Sequence, residues 1–138
     1  MAFATTSNNH QLTSRALSVL RIVSAYLLIQ HGTAKLLGFP HVAYFDGLQV
    51  MSLIGFAGIL ELFGGALLLL GLFTRPVAFV LSGLLAFAYF IGHASKGFAL
   101  SPMLNGGESA VLFCFVFLFL AAAGGGAWGL DALRSSRK

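Results

Sequence analysis

His31 and Lys35 stand one helical turn apart inside LLIQHGTAKLLGF, residues 27–39, where an apolar run turns polar. Glu61 lies between Gly58 and Gly65 in a second apolar run, Tyr89 and His93 close a third, and Glu108 opens a fourth. Such a set handles protons: imidazole exchanges them near neutral pH, carboxylates relay them, and a lysine beside them tunes charge. Ionisable groups are expensive in lipid, roughly 2.5–3.5 kcal/mol each on insertion scales, so they are expected to turn inward and pair. The natural pairs are Lys35 or Arg21 with Glu61, and His93 with Glu108. Arg21 is the weaker partner for Glu61, because it sits lower in its segment and can snorkel to the nearer interface.

Spacing supports a shared site. At about 100° per residue, Arg21, Ser24, His31 and Lys35 fall within roughly an 80° arc of one helix, and Gln30 lies away from it. Ser82, Ala86, Tyr89 and His93 fall within roughly a 60° arc of another. Gly58, Glu61 and Gly65 share a face on which small residues let a neighbouring helix approach closely. Asn105 and Glu108 have capping-box spacing, which gives both a structural reading beside a functional one. His31, Lys35 and His93 likewise have a plainer reading, as interfacial residues at helix ends. Their agreement in depth favours one polar cup in the outer half of a bundle.

The elements that must position these residues are membrane spans. The chain is 58% hydrophobic and 9% charged, against about a quarter charged in soluble domains. A soluble domain of 138 residues leaves too much surface in water to hide so many Leu and Phe side chains. Segments of about 20 apolar residues can span a bilayer, and four qualify: Ser14–Leu37, Ser52–Phe73, Pro76–His93 and Glu108–Ala123. Gly71, Thr74 and Pro76 in GLFTRP read as a helix stop, cap and restart, so the second and third spans form a tight antiparallel pair. The three glycines of AAAGGGAWG stop the fourth. The expected fold is an all-α, antiparallel four-helix bundle in the membrane. Residues 1–13 form a polar, disordered or interfacial N-terminal tail, 14–133 the bundle and 134–138 a basic tail. With four spans both termini share a side, which holds Arg15, Arg21, Arg75, Arg134, Arg137 and Lys138; the opposite side holds Lys35 and Lys96. The positive-inside rule then puts both termini in the cytoplasm.

Several function classes are excluded. The single cysteine, Cys114, rules out a disulfide framework and a CxxC redox motif and reads as packing. No haem-attachment or iron–sulfur motif is present, and the N-terminus lacks the form of a cleaved signal peptide. No basic patch with interleaved aromatics suggests nucleic acid. His31, Glu61, His93 and Glu108 have ligand chemistry suited to iron, copper or zinc, but the Glu-x-x-His pattern of di-iron bundles is absent, so no metal is expected. The Phe-rich VLFCFVFLFL of the fourth span reads as packing or lipid-facing surface.

QHGTAKLLGF, GFAGILELFGGALLLLGLFTRP, AYFIGHASKGF, LNGGESAVLF and GGGAWGLDALR occur in that order. As an ordered set over residues 15–133 they resemble the DoxX family of small four-helix membrane proteins. The resemblance implies a multi-pass protein of the bacterial cytoplasmic (inner) membrane, with links to quinone-reducing or quinol-oxidising complexes and to thiol and oxidative-stress systems. Carried over by position, the family's recurring polar residues are His31, Lys35, Glu61, His93 and Glu108. One departure is the tail, where GGGAWG stands in place of a Gly-Pro-Gly-Pro-like turn.

Two function classes follow. In the first, the chain is a membrane subunit of a quinone-linked oxidoreductase. His31 or His93 hydrogen-bonds the quinone head, Glu61 and Glu108 relay protons, Lys35 tunes charge, and a partner redox protein supplies electrons; homo-oligomers are compatible with this arrangement. Tyr89 joins the pocket by its position, with Arg21 and Asn105 as secondary members. In the second, the cup of a non-enzymatic binding or transport protein holds a small solute or lipid headgroup. A eukaryotic relative with a cargo-receptor role shows that the fold does not enforce redox work.

Overall fold

The sequence folds as helices separated by glycine and proline punctuation. A computed structural model describes the backbone of residues 2–136 and the side chains of residues 8–136; Arg137 and Lys138, counted above for orientation, lie outside the described residues. Helix α1 runs over Ala2–Leu37, α2 over Leu53–Leu70, α3 over Thr74–Ala88, α4 over Pro102–Asn105, α5 over Glu108–Ala123 and α6 over Leu130–Ser135. No strand occurs among the described residues. Asn8–Leu37, Leu53–Leu70 and Thr74–Lys96 are long and apolar enough to cross a membrane. Helix α5, with 16 residues, is about 24 Å long at 1.5 Å per residue, short of the roughly 30 Å hydrocarbon core.

The N-terminal segment, expected as a disordered or interfacial tail, is helical, and α1 continues back to Ala2. Residues 2–13 contain neither Gly nor Pro, so nothing there breaks the ladder, and the Thr13 hydroxyl donates to the Asn9 carbonyl at 2.9 Å. The 38–51 loop does not lengthen α2. It forms a single 3₁₀ turn, Ala43–Phe45, before Ser52 caps α2 by accepting the Gly55 amide at 3.1 Å.

Helix α1 packs along α2, and α3 along α5. Ala25, Leu28, Leu68, Ala78, Leu81, Leu85, Phe117 and Leu120 form a buried core among them. The α1–α2 seam is tight because glycines make it so. A β-carbon at Gly32 would lie 2.7 Å from the Leu62 amide nitrogen, and one at Gly65 would lie 2.8 Å from the Ile29 side chain. Gly58 sits against the Lys35 β-carbon, as expected for small residues flanking a polar one. Outside, Val19, Val23, Phe63, Phe79, Phe115 and Phe119 are exposed. An apolar surface of this extent marks a membrane environment.

One end of the molecule is tied shut, and Arg21 is its centre. The residue is fully buried and does not reach for an interface. Its Nε donates to the Gly125 carbonyl at 2.9 Å, and one terminal nitrogen donates to the Leu69 carbonyl at 2.7 Å and to that of Leu68. The other donates to the Trp128 carbonyl. The guanidinium therefore satisfies orphan carbonyls at the end of α2 and pins the glycine loop, a use for which its planar fork of donors is suited. Arg75 caps α5 in the same way, donating to the Ala122 carbonyl at 2.5 Å.

Gly71 closes α2 in the left-handed conformation, φ 65°, as expected, but Thr74 is not the cap of α3. Phe73 holds that position, and the capping oxygen comes from far away in sequence. The Asp131 carboxylate accepts from the Phe73 amide at 2.9 Å and the Thr74 amide at 2.8 Å. Burial acts to raise the Asp131 carboxyl, but the Thr74 and Phe73 amides, with nearby Arg134, outweigh it and hold it below its ordinary value.

Candidate functional site

The opposite end is open. Helices α2 and α3 meet tightly at their three-residue connection, Gly71–Phe73, and pack less closely on each other than α1 does on α2. Between them lies a cavity of about 1000 Å³. Its walls include His31, Lys35, Glu61, His93 and Lys96 on the polar side and Phe56, Ala57, Leu60, Val80, Gly83 and Phe87 on the apolar side. Leu53, Phe56, Val80, Phe87 and Ile91 line the cavity and are themselves exposed. The cavity therefore opens sideways between α2 and α3, onto the face that meets lipid.

The Lys35–Glu61 pair forms as the sequence indicates. Lys35 Nζ lies 2.6 Å and 2.5 Å from the two Glu61 carboxylate oxygens, and the two side chains retain only 11% and 4% exposure. The cause is local: Gly58, one turn before Glu61, lets the Lys35 stem lie flat on α2. A buried pair of this geometry is electrically neutral as a unit, and removing one partner leaves an uncompensated charge. Lys35 also lies 5.6 Å from the Phe45 ring centroid. His31 is one turn away on α1, opens into the cavity, and sets its ring edge-on to Phe113 of α5 at 6.1 Å.

His93 reaches the cavity by a route that α-helical spacing did not foresee. After Ala88 the helix widens into a π turn over Tyr89–His93, which breaks the 100° register. His93 lines the cavity, and its Nδ1–H donates to the Asn105 carbonyl at 3.2 Å. Tyr89 is buried behind it. Its ring stacks on His93 at 6.4 Å, and its hydroxyl donates to the Ala99 carbonyl at 2.7 Å. Tyr89 is thus a support for His93 and does not line the cavity. Wide π turns recur at functional positions.

Three expected members stand elsewhere. Glu108 is exposed at the first residue of α5 and lines a separate shallow pocket with Ser101, Pro102 and Met103; it is not paired with His93. Its charge suits the positive end of the α5 dipole. Asn105 does not cap α5 through a capping box, because it belongs to α4 and Gly107 is the α5 cap. Its side chain instead accepts the Gly107 amide at 2.9 Å and donates to the Tyr89 hydroxyl at 3.2 Å, tying the loop to α3. Arg21 lies at the closed end. Helix α5 contributes Ser109 to the cavity in place of Glu108.

Lys96 and Tyr44 were not foreseen as site residues. Lys96 comes from the short 3₁₀ turn Ala94–Lys96 that follows the π turn and lies 5.5 Å from the Tyr44 ring centroid, so the 3₁₀ turn of the long loop roofs the cavity. The signal in the sequence was its position three residues after His93. Among the described residues no three His, Cys, Asp or Glu side chains converge as metal ligands would.

Comparison with known proteins agrees with this architecture. The DoxX family profile matches residues 16–94, the segment that carries His31, Lys35, Glu61 and His93. A protein of Haemophilus influenzae described only as uncharacterised is 47% identical over 117 residues, covering 83% of this chain and 87% of that protein. No solved structure matches the chain. With the profile spanning more than half of its length, this chain belongs to the DoxX family of membrane proteins.

Proposed function

We propose that the chain is a subunit of a quinone-linked oxidoreductase system in the bacterial inner membrane, and that its open cavity receives the quinone head. The observation that carries this reading is the cavity's composition. His31, the Lys35–Glu61 pair and His93 meet an apolar cleft that opens toward lipid. A lipid-soluble molecule with carbonyl groups at one end matches both walls. His31 supplies a nitrogen donor for a carbonyl, and His93, whose Nδ1–H is held by the Asn105 carbonyl, offers Nε2 as an acceptor on the proton route as the ring is reduced. Glu61, held by Lys35, is the acceptor nearest that route. Electrons come from a partner protein, since the chain carries no haem-attachment motif or cysteine cluster.

The same reading gives the chain four crossings, with α5 completed at its ends by α4 and the glycine loop, and with both termini in the cytoplasm. The distribution of Arg15, Arg75 and Arg134 against Lys35 and Lys96 supports it. Titration of the purified protein with a soluble benzoquinone is the test. Saturable binding, weakened in His31→Ala and His93→Ala, is the expected outcome; wild-type protein that binds no quinone ends the proposal.

A further inference from the structure

The helical glycines of this chain differ in what surrounds them. At the α1–α2 seam a side chain has no room, as at Gly32 and Gly65. Gly83, in the body of α3, is the opposite case. A β-carbon there would meet nothing within 4 Å, and its φ is not in the left-handed range. Neither close packing nor backbone conformation requires glycine at this position, and glycine inside a helix is unfavourable relative to alanine. What Gly83 does is face the cavity.

Its surroundings say what the empty space serves. Gly83 stands between Val80 and Phe87, which are exposed at the lip, and lines the same cavity as Ala57 and Leu60 of α2. The cavity-lining neighbours of Gly83 on α3, Val80, Leu84 and Phe87, are apolar, while His31 and the Lys35–Glu61 pair mark the polar wall of the same volume. At about 1000 Å³ that volume stands at the top of the roughly 300–1,000 Å³ range of ligand sites, more than a single-ring head fills. From Val80 to His93 the cavity wall runs fourteen residues, on the order of 20 Å at 1.5 Å per residue.

We propose that Gly83 is a specificity-determining residue: with Ala57 of α2, it keeps open a track through which the isoprenoid tail of the quinone passes between α2 and α3 into the bilayer. The inference rests on the quinone reading of the cavity and adds the direction of entry, sideways from lipid, and the part of the ligand that Gly83 and Ala57 select. The site then accepts long-tailed quinones as they exist in the membrane, without drawing the tail through water.

Gly83→Phe and Ala57→Phe test it, each filling the track from a different wall. Equilibrium binding is measured on the full-length protein in detergent with two benzoquinones of identical head, one without a tail and one with a long isoprenoid tail. The expected result is that each variant weakens the long-tailed ligand by more than about tenfold, because several buried methylenes are displaced, while the tail-less ligand binds within about twofold of wild type. Retained binding of the tail-less ligand also reports that the variants are folded. Equal weakening of both ligands, or of neither, overturns the assignment of Gly83 and leaves the head site standing. If wild-type protein binds neither ligand, the quinone reading itself fails.

Discussion

At the scale of single residues the molecule separates charges that bind structure from charges that face the cavity. Lys35 and Glu61 belong to both groups. Removing one partner strands the other in a low-dielectric interior, so Lys35→Ala and Glu61→Ala should each destabilise the protein by about 3–5 kcal/mol. Lys35→Met with Glu61→Leu should recover most of that loss, since an apolar pair of similar size replaces a neutralised ion pair. Thermal unfolding in detergent of the two single variants and the double variant measures the coupling; additive losses would contradict the pairing. Asp131 gives a second prediction, with a pH sign. Its carboxyl is held below the ordinary value chiefly by the Thr74 and Phe73 amides acting against burial. The stability it contributes is present in full above the ordinary carboxylate value, about 3.9, and is lost as pH falls through the depressed one. The difference in melting temperature between wild type and Asp131→Asn should shrink on acidification through that window. A difference that stays constant from neutral pH to pH about 2 would show that the carboxylate does not cap α3. Arg21 was the least legible residue of the chain, and the reason is chemical. Its acceptors are backbone carbonyls of Leu68, Leu69, Gly125 and Trp128, which leave no mark in the identity of the residues that carry them.

At the scale of elements, the same substitution should act in opposite directions at two glycines. Gly32→Ala places a methyl against the Leu62 backbone and must push α1 from α2, whereas Gly83→Ala meets open space and gains helix propensity. Gly32→Ala should lower the melting temperature and Gly83→Ala should leave it unchanged or raise it; the reverse order would show that the α1–α2 seam is not packed through glycine. This contrast also marks how far the elements could be read in advance. Four apolar runs and their glycine stops were visible because lipid tolerates few polar residues, and Glu61 between Gly58 and Gly65 was visible because a carboxylate there has no other use. The π turn at Tyr89–His93 was not. Fixed α-helical spacing put both rings in the cup, and one wider turn left Tyr89 behind His93. Glu108 faced the same difficulty: at the first residue of α5 it has no preceding turn to declare its side.

At the scale of the whole molecule, one end is closed by side chain–backbone ties and the other holds the cavity, and the charge distribution follows the same axis. In a Cys114→Ser background, Lys96→Cys should react with a membrane-impermeant thiol reagent in intact spheroplasts, and Arg134→Cys should react only after lysis. Labelling in the opposite pattern would invert the proposed orientation. The tie made by Arg21 bears on how the chain is assembled. Two of its acceptors, Leu68 and Leu69, arrive 47 and 48 residues after it, while Gly125 and Trp128 arrive only 104 and 107 residues after it. During synthesis the guanidinium therefore has its two α2 acceptors long before the other two, and the tie is complete only once Gly125 and Trp128 have joined the fold.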